Sequence, residues 1–117
     1  MTLVPEAIRL AKSKDTLHLD YADGSHSLSA EYLRVYSPSA EVRGHGVGQA
    51  VLQTGKQNVA IVGLEMVGNY ALKIVFSDGH DSGLYDWVYL RELANTYASK
   101  WPDYLQRLQD AGGSRGA

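Results

Sequence analysis

Alternating hydrophobic and polar residues near the start of the chain predict two short β-strands. Residues 7–10 form the first, and residues 16–21 form the second, in which leucine and tyrosine alternate with His18 and Asp20. A two-residue period is typical of a strand with one buried face. The pair Asp23-Gly24 follows. Because glycine tolerates a positive φ, this pair predicts a tight turn after which the chain pairs back as a hairpin.

A short helix is predicted directly after this hairpin. Ser29 can cap a helix over residues 30–34, and Pro38 restricts the residue before it, so the helix ends nearby. Residues 37–57 then contain four glycines and few large apolar side chains, which predicts a long, mobile loop.

The second half of the chain predicts another hairpin followed by helices. Residues 59–66 are rich in β-branched side chains, Gly68-Asn69 marks a turn, and residues 70–76 alternate again. The side chains expected to face the core in this last strand are Tyr70, Leu72, Ile74 and Phe76.

Helical spacing of apolar residues predicts the main helix over 84–98, with Asp81 or Ser82 as its N-cap. Pro102 is expected to end that helix or to start a short terminal one. The predicted fold class is therefore α+β: a small antiparallel sheet or hairpins, a short helix after the first hairpin, a main C-terminal helix and a short terminal helix. We expect a single domain over residues 5–112 and a flexible tail over 113–117.

Composition narrows the class of function. The 117 residues include no cysteine, which excludes disulfides, thiolate metal ligands and a cysteine nucleophile. The net charge of -2 lacks the basic excess typical of nucleic-acid binders. No apolar run approaches the ~20 residues of a membrane span, and the N-terminus lacks a signal-peptide pattern, so the expected location is the cytoplasm.

Four histidines are the main candidates for chemistry. His80 is the most informative because it lies with Asp78 and Asp81 between the last strand and the main helix. One hypothesis is a metal, ligand or proton-transfer site that also uses His45 from the glycine-rich loop. The alternative is that the His80 side chain stabilises the turn by hydrogen bonding. This alternative is favoured because isolated histidines more often have that role.

Aromatic residues are concentrated in the last third of the chain. Tyr85 and Tyr89 are four residues apart and would share one helical face beside Trp87. If that face is exposed, it is the best candidate for a partner-binding patch.

Three segments carry a family resemblance. They are Leu-Arg-x-x-Ser-Pro-Ser-Ala-Glu at 33–41, Val-Gly-Asn-Tyr-Ala-Leu at 67–72, and Phe-x-Asp-Gly-His-x-Ser-Gly-Leu-Tyr-x-Trp-x-x-Leu at 76–90. Together they resemble the gamma-butyrobetaine hydroxylase-like N-terminal domain family, over about residues 5–112. The resemblance implies an α+β domain that precedes the catalytic barrel of carnitine-synthesis dioxygenases, accompanies Mrp-type P-loop ATPases that carry iron–sulfur clusters, or occurs alone.

The resemblance also implies a lost metal site. Hydroxylases of this family hold a structural zinc through three cysteines and one histidine. The matching positions here are Ser37, Ser39, Val42 and His80, so three of the four ligands are missing. Zinc binding by the family's route is therefore not expected, since hydroxyl and isopropyl groups do not replace thiolates.

The function expected from the resemblance is a non-catalytic binding or adaptor module. It would assist iron–sulfur cluster biogenesis beside an Mrp-type ATPase, its expected protein partner, without a cofactor of its own. The alternatives are an accessory domain or subunit of an iron-dependent oxygenase, and a metal- or small-molecule-binding protein centred on His80. The candidate partner-binding residues are Arg34, Glu41, His45, His80, Asp81, Tyr85 and Tyr89.

Overall fold

Strands and helices combine in one α+β chain, as the sequence predicted. The structure, a computed structural model, describes residues 4–44 and 50–116. Within these residues the elements are β1 (Ala7–Leu10), β2 (Thr16–Tyr21), β3 (Gly24–Ser29), α1 (Ala30–Val35), α2 (Ala40–Arg43), β4 (Ile61–Val67), β5 (Ala71–Phe76), β6 (Leu84–Asp86), α3 (Trp87–Asn95) and α4 (Tyr97–Asp110). The strands form two antiparallel sheets with the orders β1-β2-β3 and β4-β5-β6.

The first sheet confirms the predicted strands and moves the predicted turn by one residue. Tyr21 pairs with Gly24, so the two-residue loop is Ala22-Asp23, and Gly24 begins β3 with φ 140°. A positive φ of this size strains any residue with a Cβ, which is why glycine is needed there. The predicted cap is confirmed, because Ser29 accepts a hydrogen bond from the backbone N–H of Tyr32 at the start of α1.

The second sheet confirms three of the four side chains expected in the core from β5. Leu72, Ile74 and Phe76 are buried, but Tyr70 is 55% exposed. Val67 pairs with Ala71, so Tyr70 belongs to the turn that connects β4 and β5 and lies outside the alternating register. The prediction for Tyr70 was wrong because an alternating pattern does not show where strand pairing begins.

One main core lies between the sheets and helices. The sheets contribute Leu17, Leu19 and Leu28 on one side and Ile61, Leu72, Ile74 and Phe76 on the other, and the helices contribute Tyr32, Leu33, Leu90 and Leu93. A smaller cluster of Val35, Tyr104 and Leu108 joins α1 to α4. Helix α1 contributes to both clusters, and its six residues are all buried.

The C-terminal helices differ from the prediction. The predicted helix over 84–98 is a strand and a helix, because residues 84–86 pair with β5 as β6 and Asp86 caps α3 by accepting from the N–H of Tyr89. Neither Asp81 nor Ser82 is the cap. The terminal helix α4 is the longer one, with 14 residues against nine in α3. Pro102 lies inside α4, and the break falls at Thr96 instead, so proline here removes one backbone hydrogen bond without ending the helix.

The chain end is held against the domain where a flexible tail was predicted. Ser114 and Arg115 accept backbone hydrogen bonds from Gly55 and Gln57. The Arg115 guanidinium binds both carboxylate oxygens of the buried Glu31, at 2.9 and 2.7 Å. Arg115 thereby neutralises a buried carboxylate that would otherwise be unpaired.

Residues 37–57, predicted as a loop, contain the short helix α2. This helix follows α1 across Ser37 and Pro38 and lies beside the turn after β5. The candidate site is formed where these two segments meet.

Candidate functional site

His80 lies in the turn that follows β5 and is almost completely buried, with 8% of its surface exposed. The backbone N–H of Gly79 donates to the carbonyl of Phe76, and the N–H of Phe76 donates to the carbonyl of His80, so the turn is closed from both sides. Gly79 has φ 88°, which glycine adopts without strain. This turn directs the imidazole toward the segment between α1 and α2.

Both ring nitrogens of His80 have polar neighbours, two in that segment and one in α2. Nε2 lies 2.8 Å from the Ser37 hydroxyl and 3.3 Å from the Ser39 hydroxyl. Nδ1 lies 3.2 Å from a carboxylate oxygen of Glu41. Because a carboxylate accepts only, we assign the proton to Nδ1, which leaves Nε2 to accept from the serines.

The pKa of His80 is lowered from its ordinary value. Burial is the largest cause because it disfavours the charged imidazolium, and the nearby Arg34 acts in the same direction. Glu41 and Asp78 oppose these effects without reversing them. His80 is therefore neutral at pH 7 and stabilises the turn by hydrogen bonding, the alternative that the sequence favoured.

Ser37 contacts His80 and His80 contacts Glu41, the same arrangement as the nucleophile, base and carboxylate of a hydrolase triad. The hydroxyl of Ser37 is not accessible, however, because Ser37 is 1% exposed. A Cβ placed on Gly83 would lie 2.4 Å from that hydroxyl, so the backbone of Gly83 packs directly against it. In this arrangement the serine supports the turn and does not face a substrate.

Arg34 and Asp78 form a second polar contact beside the histidine. The Arg34 guanidinium lies 2.8 Å from Asp78, and the Lys56 ammonium lies 2.6 Å from the same carboxylate oxygen. Burial opposes ionisation of Asp78, but hydrogen bonds from Lys56, the His80 N–H and Arg34 together lower its pKa to about 2. The carboxylate therefore connects α1, the segment before β4 and the turn after β5.

The residues at the family's zinc positions do not fit zinc. Ser37 and Ser39 are close to Nε2 of His80, as ligands of one metal would be, but they are neutral hydroxyls that hydrogen-bond to the imidazole. Val42 is a buried apolar side chain. Within residues 4–44 and 50–116, no group of three or more His, Cys, Asp or Glu could hold a metal ion. A hydrogen-bonded cluster occupies the place of the implied metal site.

Tyr85 and Tyr89 do not share an exposed helical face. Tyr85 belongs to β6, is completely buried and donates its hydroxyl to the backbone carbonyl of Leu33. Tyr89 belongs to α3, is half-buried and donates to the carbonyl of Tyr36. Burial raises the pKa of each phenol, so both hydroxyls remain protonated donors. The predicted aromatic patch was wrong because β6 pairing, not helical spacing, orients Tyr85.

The remaining predicted site residues divide by exposure. Arg34 is buried, whereas Glu41 and Asp81 are exposed; the Asp81 carboxylate lies 3.8 Å from the Lys73 ammonium. His45 lies outside the described residues. The structure thus brings Arg34, Glu41 and His80 together, and it places Asp81 on the neighbouring surface.

An exposed apolar depression lies elsewhere and was missed from the sequence. It has a volume of about 380 Å³ and is lined by Val4, Asn69, Tyr70, Asp86, Trp87 and Val88. Val4, Tyr70 and Val88 are each more than half exposed. Tyr70 had been expected to face the core. The sequence pattern does not distinguish these exposed apolar side chains from buried ones, which is why this surface was missed.

Comparison with known proteins agrees with the fold. The model of the family described as gamma-butyrobetaine hydroxylase-like, N-terminal, matches residues 8–91. The chain belongs to this family. The matched range includes all the polar residues described above around His80. A comparison with curated proteins gave no match.

Three solved structures are similar to this chain. Two NMR solution structures are 55% and 46% identical, with TM-scores of 0.87 and 0.79; the alignments cover 98% and 97% of this chain and 91% and 84% of theirs. A crystal structure from Acidithiobacillus ferrooxidans is 38% identical with a TM-score of 0.62, and covers 77% of this chain and 91% of its own. That protein is described as one of unknown function in the DUF971 family.

None of the helices in the described part of the chain has the length and apolar character needed to cross a membrane.

Proposed function

We propose that this protein is a non-catalytic binding module that recognises a protein partner through the depression around Tyr70 and Val88. The observation that supports this proposal is the exposure of three large apolar side chains around one cavity of about 380 Å³. Clustered apolar side chains on a surface are a common feature of protein interfaces.

The depression has the composition of an interface centre with a polar edge. The Trp87 ring is buried beneath it and is held by a 2.8 Å hydrogen bond from its indole N–H to the carbonyl of Asn69. Asp86 on the rim already caps α3. A rigid aromatic floor limits the entropy lost on binding, which favours an apolar anchor from a partner.

The partner we propose is an Mrp-type P-loop ATPase in the cytoplasm. This part of the proposal rests on the family context, in which the domain accompanies ATPases that carry iron–sulfur clusters. Because the chain has no cysteine, it would recognise the carrier or its client and would not hold a cluster through thiolates.

A pair of matched variants tests the surface. Val88→Glu places a charge in the depression, and Val62→Glu places the same charge near the start of β4, away from the turn that carries Tyr70; the two valines are 60% and 58% exposed. Glutamate in the first turn of α3 also favours the helix, so the first variant should fold. Tagged protein would be captured from its native host under reducing, low-salt conditions, and binding to the purified ATPase would then be measured.

We expect the ATPase to be recovered, and Val88→Glu to weaken its binding at least tenfold while Val62→Glu leaves it unchanged. Equal binding by the two variants would reject the depression as the interface. Failure of the purified ATPase to bind the unsubstituted protein would reject the partner.

A second candidate function is an accessory domain or subunit of an iron-dependent oxygenase. It is favoured by the description of the matching family, whose name places this domain at the N-terminus of a hydroxylase. The same capture experiment separates the two functions, because this one predicts recovery of an oxygenase barrel in place of an ATPase.

The third candidate, a metal or ligand site centred on His80, has less support from the geometry. Both ring nitrogens already have partners in Ser37, Ser39 and Glu41. Metal analysis of the mildly purified protein tests it directly, and one equivalent of metal lost in His80→Gln would favour it.

A further inference from the structure

A second cavity lies on a different face, between α1, α2, α3 and α4. Its volume is about 110 Å³. Its lining includes Val35, Tyr36, Val42, Arg43, Val51, Tyr89 and Arg107. Three valines form an apolar wall, and the other side chains bring two aromatic rings and two guanidinium groups to the same space.

The guanidinium groups are positioned by the aromatic rings. The Arg43 guanidinium carbon lies 4.7 Å from the centre of the Tyr89 ring, and that of Arg107 lies 5.6 Å from the centre of the Tyr36 ring. Arg107 also donates to the Tyr36 hydroxyl at 3.0 Å. Stacking restricts the side chain before binding. A guanidinium has five N–H donors, of which Arg107 gives one to Asp103 and one to Tyr36, so it has further donors for an anion.

The rings are in turn fixed by the backbone. The Tyr36 hydroxyl donates to the carbonyl of Lys100 at 2.7 Å, and the Tyr89 hydroxyl donates to the carbonyl of Tyr36. The two tyrosines therefore hold α1, α3 and α4 in one arrangement, with the arginines on their faces. Such preorganisation reduces the entropy cost of binding a ligand.

The local charge favours an anion. Arg43, Arg107 and Lys100 lie around the two rings, and the Lys100 ammonium is 5.6 Å from the centre of the Tyr36 ring. Asp103 pairs with Arg107 at 3.1 Å, but its side chain is 66% exposed. The negative charge of Glu92, which is also on α3, contributes to raising the pKa of Tyr89. Among these groups, three cations lie over the rings, and one acid, Asp103, contacts one of the cations.

We propose that this cavity binds a small carboxylate with a short aliphatic tail. The carboxylate would accept hydrogen bonds from Arg43 and Arg107, and the tail would contact Val35, Val42 and Val51. A dry cavity of about 150 Å³ holds benzene, so about 110 Å³ accommodates roughly four or five non-hydrogen atoms. The carboxylate could come from a free acid or from the C-terminus of a protein. This site is separate from the depression around Tyr70 and does not depend on the proposed partner.

Titration of the labelled 117-residue protein with propionate, followed by NMR, tests the proposal. We expect saturable shifts of the Val35, Val42 and Val51 methyl signals with a dissociation constant on the order of millimolar. Arg43→Gln and Arg107→Gln should each weaken binding roughly tenfold, because charge-assisted hydrogen bonds are lost. Arg9→Gln is the control, since Arg9 is exposed and pairs with Asp20 on the first sheet.

Two further probes define the ligand chemistry. Propionamide has the same shape without the charge and should not bind; equal binding of propionamide or of inorganic phosphate would overturn the carboxylate assignment. Absence of saturable shifts with propionate would overturn the site. A short peptide ending in a valine carboxylate, compared with its amide, identifies the source: tighter binding than propionate indicates a protein C-terminus, and weaker binding indicates a free acid.

Discussion

The hydroxyl of Ser37 lies 2.8 Å from Nε2 of His80 and joins the segment between α1 and α2 to the turn after β5. The two residues are 43 positions apart in the chain. Because both are buried, this contact replaces water for each partner, and removal of either one leaves a polar atom without its partner.

Ser37→Ala should lower the free energy of unfolding by about 1–2 kcal/mol, because the imidazole nitrogen loses its shorter hydrogen bond while remaining buried. Urea denaturation measures the change. Ser27→Ala is the matched control: Ser27 makes a 2.8 Å bond to His18, but the pair is exposed, so we expect a change below about 0.5 kcal/mol. Equal losses in the two variants would show that burial of the Ser37–His80 contact contributes nothing.

The stability of the protein should decrease as the pH falls below about 6.5, through His80. Its folded pKa is lowered by burial and by Arg34, whereas the unfolded side chain keeps its ordinary value of 6.5. Below 6.5 the unfolded state therefore binds more protons, and the free energy of unfolding decreases until the pH passes the folded pKa.

His80→Gln should remove this component. The measurement is the difference in unfolding free energy between the original protein and His80→Gln from pH 7.5 to 5, with a slope of at most about 1.4 kcal/mol per pH unit. A difference that stays constant over this range would contradict the lowered pKa.

Asp78→Asn should destabilise the protein by about 2–3 kcal/mol, because it leaves the buried Arg34 without its carboxylate partner. This estimate is below the range for fully buried pairs, since Asp78 and Lys56 retain some exposure. Asp20→Asn is the control, since its partner Arg9 is well exposed, and we expect a loss below about 1 kcal/mol.

The contribution of Asp78 should also depend on pH. Its pKa is lowered from 3.8 to about 2, so the stabilisation is fully present above about 4 and is lost as the pH falls from there through 2. If the difference between Asp78→Asn and the original protein is the same at pH 5 and pH 2, the ion pair is not the source of the stability.

Gly83→Ala should lower the free energy of unfolding by about 1–3 kcal/mol, because the added methyl would lie 2.4 Å from the Ser37 hydroxyl and 3.1 Å from Pro38. Gly63→Ala is the control: its methyl would meet Val75 at 3.5 Å, an ordinary contact, and should be neutral or slightly stabilising. Adding Ser37→Gly to Gly83→Ala should recover part of the loss, which a double-mutant cycle measures. Additive effects would show that the two residues do not touch.

Much of the fold follows from local pattern. Strand β2 and the cap at Ser29 were predicted because alternation and capping depend on residues only a few positions apart. The α+β class and the hairpins followed in the same way. The resemblance to the family was likewise visible in short segments of sequence and is confirmed by the match over residues 8–91.

The candidate site required the tertiary structure. The resemblance had grouped Ser37 and Ser39 with His80 as positions of one lost metal site. The hydrogen bonds between them, and the contacts of Arg34 and Lys56 with Asp78, join segments that are distant in the chain. The cavity beside Arg43 and Arg107 carried no sequence signal at all. Convergence of such residues depends on how the helices pack on the sheets.

What the sequence determined by itself is the set of local conformations: where glycine permits a turn, where serine caps a helix and which strand faces are apolar. What only the tertiary structure decided is which equally apolar residues become buried. Tyr85 and Tyr70 have the same side chain, yet pairing of β6 with β5 buries the first completely and the turn after β4 exposes the second. Burial depends on how the strands pair, which the residues next to each tyrosine do not encode. The tertiary structure therefore decides which tyrosine supports the fold and which is exposed for binding.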